Sequence, residues 1–474
     1  MLLGATGGKA WRTGVQQFTG AAIDGRRVPR GGLWFAIRGE RHDGHDFAAQ
    51  AVEHGAAGLV VERGRAAQLE LPESTTDALT LVEVDDTIQA LGHLARAYRL
   101  SLRELTVVGV TGSNGKTTTK EMVASILSEA AGAAAVHKTS GNFNNHLGLP
   151  LTLLALHEGH RYAVIEMGMS GLGEIAYLAE LARPRVGIIV NVGPVHLEQL
   201  GSLDNIARAT GELFAALPPD GVAVFPAGDE RIAAQARASA AVCQLRFGAQ
   251  PGVAVRRLSS HVEGDGTVVA LRLPDGAHIQ AKLHALGEHN AHNAAAAAAV
   301  GYALGVPPAA IAAGLTAATT EKHRSSLVAI GGRRILDDCY NASPLSMPAG
   351  IDTLVSLRAR PARAVAVLGD MLELGPESAT LHRQVGEHAA RVGVDLLLAT
   401  GPHAGDMVAG ARDAGLAAAR VVGDLDALAA AVLDETAPGD AVLVKASRGM
   451  HLEHVIDSLR AALEPAARQA GGER

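Results

Sequence analysis

The chain contains 474 residues with a formal net charge of −7, and 48% of its residues are hydrophobic. A chain of this length has room for about three domains, each large enough to bury its own core. The acidic balance argues against a surface for nucleic acid or anionic lipid, so any lysine or arginine that binds phosphate must act locally.

The two cysteines, Cys243 and Cys339, are too few for a disulfide framework and lack the CxxC spacing of zinc and redox sites. The first residues, MLLGATGGKAW, contain no apolar run long enough for a signal peptide. The longest uncharged run, residues 294–320, is interrupted by Pro307 and Pro308, so we expect two packed helices and no membrane span. These features predict a cytoplasmic protein, which we expect to be a monomer.

Residues 1–103 form the first predicted domain, a small α/β unit. Its strand and helix patterns alternate and occur at Gly32 to Ile37, Phe47 to His54, Gly58 to Glu62 and Thr87 to Leu100. Polar clusters lie near the strand ends, where α/β sheets bind their ligands, and the first cluster contains Asp24 and Arg26. These clusters are equally compatible with surface turns.

The segment Val107 to Lys120, VVGVTGSNGKTTTK, is typical of a buried strand that runs into a glycine-rich loop and then a helix. Gly112 and Gly115 allow the backbone to fold around an anion, while the helix N-terminus and Lys116 supply positive charge. Thr117 places a hydroxyl where a phosphate-bridging Mg²⁺ needs an oxygen ligand. The segment predicts an ATP or GTP site formed by Gly112, Ser113, Asn114, Gly115, Lys116, Thr117 and Thr118.

The P-loop pattern GxxxxGK[ST] is incomplete here, because Val110 stands where its first glycine belongs. A glycine-rich turn with an unrelated lysine is therefore the alternative interpretation. We favour the nucleotide site because the strand, the glycines, the Lys-Thr-Thr sequence and the helix follow one another in the required order.

Residues 104–322 form the second predicted domain, in which apolar strands alternate with helices as in a parallel sheet covered on both faces. The strand patterns occur at Val107 to Val110, Tyr162 to Ile165, Val186 to Val190 and Val222 to Phe225. Two of them lead into Glu166 and His196, which we expect beside the P-loop, where they form a magnesium site with Thr117. Taken singly, Glu166 is equally compatible with a solvated loop acid and His196 with a structural histidine.

Two other stretches of this domain carry amide side chains. The run Lys138 to Pro150, which contains Asn144 and Asn145, has no apolar periodicity, so its amides either satisfy one another or bind a polar substrate. Asn290 and Asn293 fall on one face of the first turn of an alanine-rich helix, and helix capping is the alternative role for either residue. Between these stretches, residues 242–284 alternate like antiparallel strands and predict an excursion within the domain.

Residues 323–474 form the third predicted domain, in which strands and helices alternate regularly as in a doubly wound, Rossmann-like α/β fold. No GxGxxG follows its first strand, so a dinucleotide is not expected. Polar segments end its strands at Asp337 to Asn341, Gly369 to Gly375 and Lys445 to Gly449.

The motifs together resemble those of the Mur ligases, three-domain ATP-dependent enzymes that form amide bonds in peptidoglycan synthesis. The matching segments span nearly the whole chain and are TGSNGKTTT at Thr111 to Thr119, GNFNNHLGLPLTLL at Gly141 to Leu154, IEMGMS at Ile165 to Ser170, HLE at His196 to Glu198, GEHNAHNA at Gly287 to Ala294, DDCYNASP at Asp337 to Pro344 and LGDMLELG at Leu368 to Gly375.

The resemblance implies a role for each domain and for several residues. The N-terminal domain would bind the uridine diphosphate end of the substrate, the central domain ATP and Mg²⁺, and the C-terminal domain the amine substrate. The resemblance assigns Lys116, His196 and Arg324 to catalysis near the phosphates, with His196 on a second Mg²⁺. It places Asn290 and Asn293 with the nucleotide, Asp338 at the ribose, Asp24 and Arg26 at the uracil end, Asn144 and Asn145 where the nucleotide sugar enters, and Lys445, Ser447 and Arg448 in the peptide pocket.

Three positions depart from the family pattern. Gly25 replaces a serine, His323 replaces a glycine before Arg324, and Thr210 replaces a lysine that carries a carbamate in many of these enzymes. With threonine there, we expect the second magnesium to depend on His196, water and substrate. The alternative is that Thr210 faces away from the metal and that Glu212 or Glu198 compensates.

The reaction implied by the resemblance proceeds through an acyl phosphate and yields ADP and phosphate. LGDMLELG, together with the absence of a DNPR motif, favours D-alanyl-D-alanine and a UDP-N-acetylmuramoyl-tripeptide as the substrates. The alternatives are addition of a diamino acid to the shorter dipeptide precursor, a folate polyglutamate ligase, and a switch protein that hydrolyses ATP without ligation.

Overall fold

The computed structural model describes residues 1–72 and 78–464, and its strands form three sheets. The N-terminal sheet has the order β1-β5-β4-β3-β2. The elements of this domain are α1 (Leu2–Thr6), β1 (Lys9–Arg12), β2 (Ala21–Ala22), β3 (Leu33–Phe35), α2 (Ala48–Glu53), β4 (Gly58–Glu62), β5 (Thr80–Val84) and α3 (Thr87–Ser101). Apart from β1, which pairs antiparallel with β5, the strands of this sheet are parallel.

The central domain is built on nine strands in the order β14-β13-β12-β11-β10-β9-β6-β8-β7. Its elements are β6 (Thr106–Thr111), α4 (Lys116–Ala131), β7 (Val136–Lys138), α5 (Gly148–Leu154), β8 (Tyr162–Glu166), α6 (Glu174–Ala182), β9 (Val186–Ile189), α7 (Leu197–Leu200), α8 (Leu203–Ala215), β10 (Val222–Pro226), α9 (Glu230–Ala238), β11 (Cys243–Gly248), β12 (Val255–Glu263), β13 (Gly266–Arg272), β14 (His278–Leu283), α10 (Glu288–Ala303) and α11 (Pro308–Ala317).

Side chains of strand β6 pack against helices on both faces of this sheet. Val108 and Val110 pack into the core beneath α4 and α10, whereas Val107 packs into the core that contains α5 and α6. Because β6, β8 and β9 are parallel neighbours, their carboxyl ends meet at one edge of the sheet. The residues that follow these strands are therefore brought together at that edge.

The segment from residue 242 to residue 284 is more closely joined to the central sheet than its pattern indicated. Strands β12, β13 and β14 are antiparallel, as predicted, but β11 pairs in parallel with β10 and continues the main sheet. The alternation of apolar residues does not distinguish these two pairings, since a half-buried strand shows it in either direction.

The alanine-rich run forms the two helices that the sequence predicted, α10 and α11. Ala294 through Ala299 are completely buried, because α10 lies between the sheet and α4 and its small side chains permit close approach. Within the described residues, no helix combines the length and the apolar character needed to cross a bilayer.

The C-terminal domain has six strands in the order β15-β16-β20-β17-β18-β19. Its elements are β15 (Ser326–Ile330), β16 (Arg333–Asp337), α12 (Ser346–Leu357), β17 (Ala364–Leu368), α13 (Ser378–Val392), β18 (Leu396–Ala399), α14 (Ala404–Asp413), β19 (Ala419–Val421), α15 (Leu425–Glu435), β20 (Ala441–Lys445) and α16 (Glu453–Leu463). Along β17, Ala364, Ala366 and Leu368 face one core, and Val365 and Val367 face the other. This alternation confirms the doubly wound arrangement.

Candidate active site

The P-loop lies between β6 and α4 and requires its two glycines. Gly115, the residue before α4, has φ +78°, and a Cβ there would meet the Asn293 side chain at 2.5 Å. Gly112 has φ +140° and lies against the backbone at Asn191. Ser113 fixes the loop because its Oγ accepts a hydrogen bond from Gly193 N at 2.8 Å and donates one to Gly193 O.

Lys116, at the start of α4, folds back over this loop. Its Nζ donates to the carbonyl oxygens of Gly112 at 2.7 Å and Ser113 at 3.3 Å. Burial lowers the pKa of Lys116, and the nearby Glu166 carboxylate opposes that effect. The lysine is therefore held at the loop by neutral carbonyl groups, which an anionic ligand would outcompete for the ammonium.

Glu166 ends β8 and faces the P-loop. Its Oε1 accepts a hydrogen bond from Asn144 Nδ2 at 2.8 Å, whereas its buried Oε2 has no hydrogen-bond partner among the described residues. Thr117 is also buried and lines the same cavity. A buried carboxylate oxygen without a partner and a threonine that lines the same cavity are oxygen donors of the kind that suits a hard divalent cation.

Residues of α10 and of the C-terminal domain complete this cavity. Asn293 Nδ2 donates to Asn290 Oδ1 at 3.0 Å, so the two amides act as a pair in the first turn of α10. Asp338 accepts from Ser325 N at 2.9 Å and from Lys445 Nζ at 2.5 Å.

Arg324 stacks on an aromatic ring in the same cavity, since its Cζ lies 3.9 Å from the centroid of Tyr340. The cavity has a volume of about 310 Å³ and includes Lys116, Glu166 and Lys445 in its lining. We call it the larger cavity, in contrast only to the cavity around His196 described next. Residues from both the central and the C-terminal domains form it, so its shape depends on how these domains meet.

His196 does not line the larger cavity. It lines a second one of about 200 Å³, the smaller cavity, together with Glu373, Ser447 and Arg448. His196 Nδ1 forms an ion-pair contact with the Glu373 carboxylate, without the geometry of a hydrogen bond. Both residues have left-handed backbone conformations, with φ +51° and +63°.

The predicted substrate residues lie in different places. Asn144 lines the larger cavity, whereas Asn145 lines a third cavity of about 240 Å³ beside α6. Asn145 Oδ1 also accepts from the backbone N–H groups of Leu147 and Gly148 at the start of α5, which is a capping role. Lys445 lies in the larger cavity and Arg448 in the smaller one, although only two residues separate them.

Asp24 and Arg26 lie in the N-terminal domain and line none of these three cavities. Asp24 accepts a hydrogen bond from Arg26 N and pairs with its guanidinium at 2.9 Å. This hydrogen-bonded arginine lowers the pKa of the Asp24 carboxyl group. Gly25, between them, is buried against Ala51 in α2.

The structure places Thr210 inside the domain core. The side chain is completely buried, and its Oγ1 donates to Ile206 O at 2.9 Å in its own helix, α8. Glu212 accepts from the backbone N–H groups of Gly173 and Ala176, and so it caps α6. The carboxylate that contacts His196 is Glu373, a residue of the LGDMLELG motif for which the sequence alone predicts no role.

Two further contacts across the domain boundary were missed by sequence reasoning. Ser343 Oγ donates to Asn114 Oδ1 of the P-loop at 3.0 Å. Leu345 packs over Gly193, where a Cβ would meet its Cδ1 at 2.1 Å. The DDCYNASP motif and its flank contain Ser343 and Leu345, but nothing in a linear motif shows which residue of another domain it will contact.

Comparison with known families gives three matches along the chain. The profile described as Mur ligase family, catalytic domain, matches residues 17–99, the Mur ligase middle domain matches residues 110–301, and the Mur ligase glutamate ligase domain matches residues 323–448. A curated relative, the UDP-N-acetylmuramoyl-tripeptide--D-alanyl-D-alanine ligase of Bacillus subtilis (strain 168), is 38% identical over 453 residues, which cover 93% of each chain.

Solved structures give the same result. The chain is similar to MurF from Acinetobacter baumannii, with a TM-score of 0.85 and 32% identity over 97% of both chains. It is also similar to MurF ligase from Thermotoga maritima in complex with ADP, with a TM-score of 0.78 and 29% identity over 94% of this chain and 98% of the other.

Proposed function

The chain belongs to the Mur ligase family, and we propose that it joins D-alanyl-D-alanine to UDP-N-acetylmuramoyl-tripeptide while ATP is cleaved to ADP and inorganic phosphate. The observation that carries this proposal is similarity to a ligase of that name over 93% of each chain. The larger cavity supports it, because a P-loop and residues of a second α/β domain surround a common space. Such a reaction belongs to peptidoglycan precursor synthesis.

The P-loop and Lys116 would hold the phosphates of ATP. The backbone N–H groups at the start of α4 and the Lys116 ammonium neutralise charge on the β- and γ-phosphates. Thr117 and Glu166 would hold Mg²⁺, which neutralises phosphate charge when bound. Asn290, Asn293 and Asp338 would bind the nucleoside end. Their position in the lining of the larger cavity supports this assignment.

In the chemical step, the terminal carboxylate of the tripeptide attacks the γ-phosphorus, ADP leaves, and an acyl phosphate forms. The two reactants are both anions, so Lys116 and Arg324 reduce their repulsion and stabilise the oxygens of the transferring group. The amine of D-alanyl-D-alanine then attacks the acyl carbon, and phosphate leaves.

The smaller cavity is the proposed approach of the dipeptide. Arg448 and Ser447 supply a cation and a hydroxyl at its wall, which suit a C-terminal carboxylate and a peptide group. Contacts between the domains, such as Ser343 with Asn114, would exclude water from the acyl phosphate. We also propose a cytoplasmic location, where ATP and UDP-linked precursors are found together.

A product assay tests the proposed function. Incubation with ATP, Mg²⁺, UDP-N-acetylmuramoyl-tripeptide and D-alanyl-D-alanine should yield the UDP-linked pentapeptide with one ADP and one phosphate per amide formed, measured by mass spectrometry and phosphate release. Faster ligation of lysine or diaminopimelate to the dipeptide precursor would contradict the choice of substrates. Phosphate release without any acceptor or ligated product would indicate a nucleotide switch.

A further inference from the structure

His323, in the segment that joins the central and C-terminal domains, meets two side chains at the end of β16. Its Nδ1 lies 2.8 Å from Asp337 Oδ2, and Cys339 Sγ lies 3.1 Å from Asp337 Oδ1. Cys339 Sγ is also 3.5 Å from His323 Nδ1, and one ligand atom of each residue lies within 4.8 Å of the others. We call these three residues the linker cluster.

The linker cluster has the composition and spacing of a site for a soft divalent cation. Cysteine sulfur, imidazole nitrogen and carboxylate oxygen are the usual ligands of zinc-like ions. Bond lengths of about 2.3 Å to sulfur and about 2.0 Å to nitrogen separate these ligands by about 3.5 Å in a tetrahedron. The observed sulfur-to-nitrogen distance of 3.5 Å matches this spacing. The carboxylate oxygens lie closer and would move outward by about 0.5 Å on binding.

Burial distinguishes this cluster from exposed polar groups that meet by chance. Cys339 is completely buried and the Asp337 side chain is 9% exposed, whereas the His323 side chain is 30% exposed and leaves a route from solvent. The backbone holds the imidazole in place, since His323 has φ +64° and its carbonyl oxygen accepts from Tyr340 N at 3.1 Å.

We propose that His323, Asp337 and Cys339 bind one soft divalent cation of the zinc class, with solvent as a fourth ligand. The thiol proton is released to solvent as the metal–sulfur bond forms, and the imidazole keeps its proton on Nε2 while Nδ1 binds the metal. No electron is transferred. The site shares no ligand with the Thr117 and Glu166 pair proposed for Mg²⁺, and it does not depend on which amide the enzyme forms.

The chemistry favours zinc-like ions over Mg²⁺ at this position. Burial, together with the neighbouring Asp337 carboxylate, raises the pKa of the Cys339 thiol, so the binding ion must displace a proton. Ions with high affinity for thiolate can do this, whereas a hard cation that prefers oxygen cannot.

The linker cluster is also adjacent to the larger cavity along the chain. Each of its members is followed by a residue that lines that cavity, namely Arg324, Asp338 and Tyr340. A bound metal would therefore fix the backbone from which the arginine, the aspartate and the tyrosine extend.

Titration of the untagged full-length chain with Cd²⁺, in excess Mg²⁺ and under reducing conditions, tests the proposal. We expect one Cd²⁺ per chain with the ultraviolet charge-transfer band of a cadmium–thiolate bond. Cys339→Ser should abolish the band, and Cys243→Ser should retain it because that cysteine is exposed and lies outside the cluster. His323→Asn should keep a thiolate ligand but weaken Cd²⁺ binding at least tenfold.

Circular dichroism and the melting temperature of each metal-free variant measure whether it is folded. If Cys339→Ser does not fold, His323→Asn still tests the proposal, because His323 is only partly buried. The proposal is overturned if the wild-type chain gives no band, if the band depends on Cys243, or if His323→Asn binds Cd²⁺ as tightly as the wild type. A wild-type chain that binds Cd²⁺ but has no ligase activity would contradict the proposed function without contradicting the metal site.

Discussion

The larger and smaller cavities lie at the same domain boundary but are built differently. The larger cavity is organised by a continuous segment, in which β6, two glycines and the start of α4 place backbone N–H groups and Lys116 together. The smaller cavity depends on two residues distant in sequence, His196 and Glu373, which meet across the boundary in left-handed conformations.

The larger cavity is therefore organised mainly by one domain, whereas the smaller cavity requires residues of two domains. A left-handed backbone conformation is unfavourable by about 1–2 kcal/mol for any residue other than glycine. His196 and Glu373 must therefore be held in this conformation by their surroundings. We infer that the proposed phosphate site is largely preformed in the central domain, whereas the proposed site for the dipeptide is completed when the C-terminal domain is docked. Variants of the two cavities should then affect different kinetic constants.

The largest effect should come from Lys116→Ala. Because we propose that this lysine neutralises charge that develops between phosphates, turnover should fall by about 10³-fold or more, with a smaller change in the KM for ATP. Steady-state phosphate release measures both quantities. Lys282→Ala, an exposed lysine on β14, is the control and should behave as the wild type. Near-normal turnover in the Lys116 variant would place the catalytic cation elsewhere.

Arg448→Ala should weaken the use of the dipeptide substrate and raise its KM. Losing a charged hydrogen bond of about 1.5–3 kcal/mol corresponds to a rise of about 10- to 100-fold in the KM for D-alanyl-D-alanine. The KM for ATP should stay within about twofold, because Arg448 lies in the smaller cavity. Arg460→Ala on α16 serves as the control. An equal rise in both constants would show that the cavities are not separate.

Lys445→Gln should raise the KM for ATP and not the KM for the dipeptide, the opposite of Arg448→Ala. This variant separates the two cavities, because the sequence motif alone groups Lys445 with Arg448. Lys445 contacts Asp338 in the larger cavity, so we expect the KM for ATP to rise by about tenfold and the KM for the dipeptide to change little. Lys445→Arg should recover part of the loss because it keeps the charge. A selective effect on the dipeptide would return Lys445 to the peptide pocket.

Glu373→Gln should have the smallest effect. Its carboxylate contacts His196, but the Glu373 side chain is 52% exposed, and such ion pairs contribute at most about 1 kcal/mol. We expect up to about a fivefold loss of kcat/KM for the dipeptide and an unchanged KM for ATP. Glu377→Gln, in the same loop, is the control. A loss as large as that of Lys116→Ala would make Glu373 a primary catalytic group.

The sequence predicted the local parts of this molecule well. Apolar runs bounded by turns located β4 and β8 to within one residue, and the broken alanine-rich run predicted α10 and α11. The parallel pairing of β11 was not predicted, because a strand's partner depends on contacts distant in sequence, while its hydrophobic pattern records only which side is buried.

The same limit applies to the site residues. Lys116, Thr117 and Glu166 could be brought together by reasoning alone, since the carboxyl ends of neighbouring parallel strands must meet. His196 comes after a strand of the same sheet, yet it contacts a loop of another domain. Lys445 and Arg448 belong to one short segment but line different cavities. Which cavity a side chain enters depends on domain docking, and no periodicity in the sequence reports that.

Transfer of isotope from the tripeptide to phosphate tests most directly whether the larger cavity activates the carboxylate. With ¹⁸O in both oxygens of the terminal carboxylate, one labelled oxygen should appear in inorganic phosphate for each amide formed, and the other should remain in the amide carbonyl. The transfer should require ATP and be lost in Lys116→Ala. Unlabelled phosphate, with the label retained entirely by the peptide or released to water, would contradict an acyl phosphate formed in the larger cavity.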